Sequence, residues 1–153
     1  MTIRPANEAD HERLFELVTE AFGPITWYRK AEARFGQPGG CDWRELWRQR
    51  IEHALDKQIN LVGEQDGEIV AFSSGAYNPK SRIGFLDILA VTQDKQGGGL
   101  GREMLRACLD DFRDRGAEFA NLECLTDNDV GNALYEAEGF EEVMRSIRWF
   151  KKL

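Results

Sequence analysis

The chain has 153 residues, 42% of them hydrophobic and 10% aromatic, which suits one domain with a real core. Its net charge of −7 argues against nucleic acid as a partner, because a protein that follows phosphates needs a basic face. No apolar run is long enough for a membrane span, and MTIRPANEAD lacks a signal-peptide pattern. With three dispersed cysteines (Cys41, Cys108, Cys124), this predicts a cytoplasmic protein with reduced thiols. No metal-ligand spacing occurs, so we expect no metal site.

The first part of the chain predicts one strand followed by helices. Thr2 to Arg4 can form a strand that Pro5 stops, and a helix then shows an apolar face before Gly23. Residues 23–57 predict two further helices, Thr26 to Phe35 and one that begins after the capping-box pattern of Asp42 and Glu45. The aromatic residues concentrate here: Trp27, Tyr28, Trp43 and Trp47. They are either core packing or a wall of an acceptor pocket.

The middle of the chain predicts three strands. Ile59 to Glu64 and Ile69 to Ala76 flank Asp66-Gly67, a strong hairpin signal. Ile83 to Val91 is apolar almost throughout, which is typical of a strand buried on both faces. Asp87 is the one charge within it.

A glycine-rich turn opens the last part of the chain. Gln96, Gly97, Gly98, Gly99 and Gly101 fall within six positions. An amphipathic helix follows, then a strand from Phe119 to Leu125, a short helix that ends near Glu138, and a last strand from Val143 to Phe150. This order predicts the α/β class, a mixed sheet with helices on both faces and a parallel crossover over residues 83–125.

The turn predicts a phosphate site that needs no basic side chain. A glycine turn that feeds a helix leaves backbone N–H groups unpaired, and the helix dipole adds positive potential there. The sequence does not fit G-x-G-x-x-G/A of dinucleotide-binding folds or G-x-x-x-x-G-K-S/T of P-loops. It fits Q-x-x-G-x-G at Gln96, Gly99 and Gly101.

Two motifs together resemble the GCN5-related N-acetyltransferase (GNAT) superfamily. The first, an apolar strand followed by Q/R-x-x-G-x-G/A, reads LDILAVTQDKQGGGLG here. The second, N-x-x-A-x-x-x-Y-x-x-x-G-F, reads NDVGNALYEAEGF, with Asn128, Tyr135, Gly139 and Phe140 in place and Gly131 where the family has Ala. The resemblance covers most of the chain except about residues 23–57, a variable helical segment on the acceptor side of a single domain, residues 1–153.

The resemblance implies a fold and a cofactor. The fold is a mixed central sheet, mostly antiparallel, with one parallel pair that splays apart. The cofactor is acetyl-CoA, with its pyrophosphate on the N–H groups of Gln96 to Gly101 and its pantetheine along the preceding strand. The backbone of Leu89 and Val91 would bond the pantetheine and polarise the thioester carbonyl. The cofactor-binding residues so implied are Leu89, Ala90, Val91, Gln96, Gly97, Gly98, Gly99, Leu100, Gly101, Arg102, Asn128 and Tyr135.

The implied reaction is direct attack of a primary amine on the thioester in a ternary complex. Tyr135 matches the family tyrosine that protonates the departing thiolate. Two carboxylates compete as general base: Glu123, which the strand before the second motif carries, and Asp87, which is in phase with Leu89 and Val91. Each has a structural alternative, a salt bridge or a hydrogen bond to a neighbour, and a water chain without a single base is a third possibility.

A different class of function stays open at this stage. A non-catalytic acyl-CoA-binding sensor or scaffold would need only the glycine turn. The acceptor is an amine on a small molecule, or the N-terminus or a lysine of a peptide or protein; neither nucleic acid nor a membrane is expected. A single terminal strand leaves the acceptor side open, or a homodimer partner completes it.

Overall fold

A computed structural model describes all residues, 1–153, and is built on a five-stranded sheet. The strands are β1 (Thr2–Pro5), β2 (Ile59–Gln65), β3 (Glu68–Asn78), β4 (Ile83–Val91) and β5 (Phe119–Leu122). They lie in chain order across the sheet, and every neighbouring pair is antiparallel except the parallel pair β4–β5. The predicted mixed sheet with one parallel pair is therefore confirmed.

The helices lie on both sides of this sheet. They are α1 (His11–Phe22), α2 (Trp27–Phe35), α3 (Trp43–Lys57), α4 (Leu100–Asp114) and α5 (Asp129–Ala137). One buried cluster joins α1 and α3 to the sheet through Leu14, Trp47, Phe72 and Ile88. A second joins α4 to Leu86, with Leu105 and Phe112 at its centre. None of the helices has the length and apolar content that crossing a bilayer requires.

Turn and capping residues in the sequence determine most of the strand and helix boundaries. Asp66 and Gly67 both have positive φ, +56° and +81°, as the tight β2–β3 hairpin requires. The Asp42 carboxylate accepts the N–H of Arg44 at 2.7 Å and caps α3, without the reciprocal bond that the capping-box pattern predicts for Glu45.

Two predicted strands differ from the structure. The strand expected from Phe119 to Leu125 ends at Leu122, because its pairing with β4 stops at Leu86–Leu122. The strand expected from Val143 to Phe150 does not form, and residues 141–153 have no regular secondary structure. This segment instead contacts α2, where the Phe150 ring lies 5.2 Å from that of Phe35. An alternating pattern produces a strand only where a neighbouring strand supplies hydrogen bonds, and here none does.

A substitution at Gly84 tests how closely α4 packs on the sheet. A Cβ at this position would lie 2.3 Å from Cδ2 of the buried Phe112 ring. We expect Gly84→Ala to lower the free energy of unfolding by about 1–3 kcal/mol, the usual cost of overpacking a core. Urea denaturation measures this cost. Gly98→Ala is the control, because a Cβ there meets only the Lys95 carbonyl, at 3.4 Å, and should change stability little.

Candidate functional site: a splayed strand pair and a glycine turn

The site begins where β4 and β5 part. The register of β3 on β4 shifts between Ser74, opposite Ile88, and Gly75, opposite Leu86, so Asp87 is an extra residue in β4. Parallel pairing with β5 ends at the same point, at Leu86 and Leu122. From Asp87 to Val91 one side of β4 therefore has no partner strand.

The open side of β4 presents backbone donors. The carbonyl of Val91 accepts a 3.1 Å hydrogen bond from Nε2 of Gln96, while the next amide, Thr92 N–H, donates to Val70 on β3. In an antiparallel pair the N–H and C=O of one residue point to the same side, and the side alternates along the strand. This arrangement indicates that the N–H groups of Val91 and Leu89 face the opening and that those of Ala90 face β3.

The glycine turn follows directly. Gly97 and Gly99 have φ of +81° and +86°, a conformation that side chains disfavour, and α4 begins at Leu100. The amide of Gln96 donates to the Gln93 carbonyl, and that of Glu103 donates to Gly99. The six amides between them, Gly97 to Arg102, have no acceptor in the protein. The run of free amides therefore begins at Gly97 and not, as expected, at Gln96, whose side chain ties the turn to Val91.

The free amides are arranged in a way that suits an anion. They lie at the N-terminus of a 15-residue helix, where the helix dipole adds to the potential of the N–H groups. Two basic side chains nearby are already paired, because Arg102 and Arg106 contact the Glu138 carboxylate at 2.8 and 2.7 Å. Both ion pairs hold the pKa of the Glu138 carboxyl below its usual range, and the hydrogen bond with Arg106 contributes most. The turn can thus hold a phosphate or pyrophosphate on main-chain groups.

Tyr135 lies on α5, beside the second core cluster. Its ring packs edge-on against Phe140 with 5.9 Å between centroids, and its hydroxyl makes no hydrogen bond with the protein. Burial, and secondarily the nearby Cys124 thiol, raise the pKa of Tyr135 above that of an ordinary tyrosine. The phenol therefore keeps its proton at neutral pH and well above it.

Asn128 and Gly131 belong to one close contact. The Asn128 side chain accepts the N–H of Gly131 at 3.1 Å and caps α5. A Cβ on Gly131 would lie 2.7 Å from Nδ2 of Asn128 and 3.1 Å from Sγ of Cys124. The departure from alanine at this position therefore has a steric reason, since the cap and the thiol occupy the space of a methyl group.

The two candidate bases have different surroundings. The carboxylate of Asp87 is held on both oxygens, by the guanidinium of Arg50 and by Nε2 of Gln58 at 3.0 Å. The hydroxyl of Ser74 donates to the Gln58 side chain at 2.5 Å and completes this network. Glu123 is exposed, lies one residue past the end of β5 and forms no ion pair.

Several residues near the site carry no local sequence signal. Arg50 on α3 and Gln58, the residue that follows α3, contact Asp87 from 37 and 29 positions away. Lys30 on α2 contacts Asp127, beyond β5, at 2.5 Å across 97 positions. Only the tertiary fold brings such pairs together, so periodicity and motif spacing do not reveal them.

The aromatic residues of the variable segment divide into two groups. Trp43 and Trp47 are buried in the first core cluster, as core packing predicts. Trp27 stacks on Tyr28 at 4.0 Å and also faces Phe150 at 6.4 Å, with the Arg148 guanidinium 4.4 Å from its ring centroid. These outer rings form a wall between α2 and the segment 141–153.

Comparison with known proteins agrees with this geometry. The profile of the acetyltransferase (GNAT) family matches residues 13–140. A mycothiol acetyltransferase of Streptomyces coelicolor is 30% identical over 110 residues, which are 72% of this chain and 36% of that protein. The chain thus spans about a third of the length of this curated relative.

Two solved structures share the fold. The ribosomal-protein-S18-alanine N-acetyltransferase from Escherichia coli superposes with a TM-score of 0.68 at 23% identity, over 94% of this chain and 79% of that one. The aminoglycoside N-acetyltransferase AAC(6')-Iy in complex with CoA also gives 0.68, at 18% identity, over 99% and 100%. The splayed mixed sheet and the glycine turn before α4 define an α/β domain of the same fold as these two structures. The chain belongs to the GNAT family of acetyltransferases.

The contact at Gly131 gives a stability test. Gly→Ala within a helix normally stabilises it by about 1 kcal/mol. Here we expect Gly131→Ala to lower the free energy of unfolding by about 1 kcal/mol, because the methyl group displaces the Asn128 cap. Urea denaturation measures the change. In an Asn128→Ala background the same substitution should cost less, and an equal cost in both backgrounds would contradict this explanation.

Proposed function

We propose that this chain transfers an acetyl group from acetyl-CoA to a primary amine, by direct attack within a ternary complex. The observation that carries the proposal is the run of six free amides, Gly97 to Arg102, directly after the open side of β4. Family membership supports the same reaction. So do the names of the relatives, a mycothiol acetyltransferase, a ribosomal-protein-S18-alanine N-acetyltransferase and an aminoglycoside N-acetyltransferase.

The donor is proposed to lie along the open side of β4 and to end at the turn. The amides of Gly97 to Arg102 receive the pyrophosphate, and Gln96 fixes the turn to the strand end. The pantetheine follows Leu89, Ala90 and Val91. The N–H groups of Leu89 and Val91 then stand where the thioester carbonyl develops negative charge, the position of an oxyanion hole. Asn128 sets the start of α5 and, through it, the place of Tyr135.

The proton transfers follow from the bonds that change. The amine nitrogen forms a bond to the carbonyl carbon, the C–S bond breaks, and the products are the amide and the CoA thiol. Tyr135 is the proposed acid for the departing thiolate, because its phenol is protonated at neutral pH and its hydroxyl has no protein partner. Glu123 is the proposed base for the incoming ammonium, since its carboxylate is free. Asp87 is the weaker candidate, because Arg50 and Gln58 occupy both of its oxygens.

The acceptor is proposed to enter beside residues 23–57, the variable segment. The wall of Trp27 and Phe150 favours an amine with an apolar or aromatic neighbour group. A small molecule, an N-terminus and a lysine all present such amines. Three free cysteines support a cytoplasmic location, and a homodimer is the proposed assembly.

The proposed role of the glycine turn is tested by measuring the affinity of the chain for CoA. Gly99→Ala places a side chain at φ +86°, which costs roughly 1–2 kcal/mol and disturbs the amides. We expect the Kd for CoA, measured by isothermal titration calorimetry, to rise at least tenfold. Gly67→Ala introduces the same strain in the distant β2–β3 hairpin and should leave the Kd unchanged. Equal affinity in the Gly99 variant, or no CoA binding in the unaltered chain, would contradict the proposal.

Tyr135 is tested by kinetics. Tyr135→Phe removes only the proton donor, so kcat for acetylation of an amine should fall by about 10²–10⁴-fold with little change in the KM for acetyl-CoA. The raised pKa keeps the phenol protonated, so kcat of the unaltered chain should show no alkaline loss from this group up to about pH 10. Tyr77→Phe, the matched control on β3, should leave kcat unchanged. An unchanged kcat in Tyr135→Phe would remove the residue from this role.

Substitutions of Glu123 and Asp87 distinguish the roles of the two carboxylates. Glu123→Gln should lower kcat/KM at least 100-fold. Asp87→Asn should mainly lower the free energy of unfolding, because it leaves Arg50 without its partner. The reverse pattern would make Asp87 the base. If the chain binds acetyl-CoA but releases no thiol with any class of amine, it is the binding module and not the enzyme.

A further inference from the structure

The guanidinium of Arg50 is held at the point where β4 leaves β5. Its Nη2 donates to Oδ1 of Asp87, the extra residue of β4. Parallel pairing with β5 ends one residue earlier, at Leu86, and the open side of the strand begins there. The side chain of Asp87 is only 13% exposed, whereas that of Arg50 is 36% exposed. A nearly buried carboxylate therefore anchors a cation that solvent can reach.

Two neighbours fix the orientation of this guanidinium. Its Cζ lies 5.2 Å from the centroid of the buried Trp47 ring, whose face attracts a cation in this position. Asp87 is itself held, because the amide of Gln58 donates to its second oxygen at 3.0 Å. A planar guanidinium that is already fixed in this way loses little further freedom when it binds a second partner.

Most of the hydrogen-bonding capacity of Arg50 is unused. A guanidinium has five N–H groups in a rigid fork, and Asp87 takes one of the two on Nη2. Arg50 makes no other hydrogen bond with the protein. Whichever Nη2 hydrogen is taken, one edge of the guanidinium keeps two parallel N–H groups. Such an edge can donate to both oxygens of a carboxylate at once.

Arg50 lies on the face of the sheet opposite the glycine turn. Helix α3 packs in the first core cluster through Trp47, and α4 packs in the second through Leu105. A donor on the turn before α4 and an acceptor beside Arg50 would therefore reach β4 from opposite faces. Residues in a strand are about 3.3 Å apart, so the backbone of Leu89 lies about 6.6 Å beyond that of Asp87. A small molecule can span the distance between Arg50 and the proposed oxyanion hole.

The charges at this point indicate what kind of acceptor fits. Asp87 already balances Arg50, and the chain as a whole has a net charge of −7. A simple anion bound here would add negative charge that nothing compensates. An acceptor that has both a carboxylate and an ammonium group adds no net charge. Its carboxylate would contact the cation and its amine would point away, so that neighbouring charges alternate in sign.

We propose that the acceptor is a small amine that also carries a carboxylate, as amino acids do, and that the free edge of the Arg50 guanidinium binds this carboxylate. The inference rests on the proposed acetyl transfer and names the substrate class of that reaction. The carboxylate takes no part in the bond changes and only holds the amine toward Leu89 and Val91. A site built to donate hydrogen bonds to a substrate group rejects analogues without that group, because its donors are then unpaired.

Matched acceptors measure this preference. Each common amino acid is compared with its carboxamide, which keeps the amine and the side chain but has no negative charge. For the best acceptor, kcat/KM of the amino acid should exceed that of its carboxamide at least tenfold. This ratio is taken within one protein sample, so it does not depend on the folded fraction of a variant.

Substitutions on α3 assign the preference to one side chain. Arg50→Gln should reduce the ratio to about one, and Arg50→Lys, which keeps the charge without the fork, should give an intermediate ratio. Arg48→Gln is the matched control, because Arg48 also lies on α3, over the Phe15 ring at 3.6 Å and paired with Glu12 at 3.0 Å. It should retain the full ratio. A purely structural role for Arg50 would lower the melting temperature of Arg50→Gln and leave the ratio unchanged, which would overturn the proposal.

Binding separates this inference from the proposed reaction. Titrated into the chain saturated with CoA, the amino acid should bind at least tenfold more tightly than its carboxamide, and Arg50→Gln should remove the difference. If no amine is acetylated but this difference is found, the reaction fails and the carboxylate site stands. If amines with and without a carboxylate are acetylated equally well, the inference fails and the reaction stands. If neither measurement shows the preference, the inference is overturned.

Discussion

The end of β4–β5 pairing at Leu86 and Leu122 is the constraint on which the site depends. The extra residue at Asp87 turns β4 away from its parallel neighbour and leaves one side of the strand without a partner. Free backbone groups then stand along that side, and the glycine turn continues them as six amides. Without the divergence, the strand would satisfy its own hydrogen bonds and the turn would adjoin a closed sheet.

The polar network at Asp87 connects this divergence to the variable helices. The sheet does not pair the carboxylate at the bulge, and Arg50 of α3 and Gln58, directly after α3, supply its partners. Ser74, opposite the bulge on β3, donates into the same network. The helix on the proposed acceptor side is thereby fixed against the strand on the donor side. An ion pair with one partly exposed member is a modest source of stability, so its main effect is on position.

Most of the fold could be predicted from the sequence, because the informative signals lie within short stretches of the chain. The bounds of β4 and the Asp66-Gly67 hairpin follow from apolar runs and turn residues. The site motifs also lie within short stretches, which is why Gly99 and Tyr135 were identifiable. The strand from Val143 to Phe150 was wrong, since a strand needs a neighbour that alternation cannot guarantee. The contacts of Arg50 with Asp87 and of Lys30 with Asp127 join distant elements and leave no pattern.

The unpaired donors of the turn are all main-chain groups, and this bears on how the sequence can change over time. Substitutions that preserve the backbone angles at Gly97 and Gly99 leave the six donors in place, whatever side chains surround them. Neighbouring surface residues such as Lys95 and Asp94 are then free to diverge in charge. The same arrangement of six donors can accordingly persist between two sequences that share little more than these glycines.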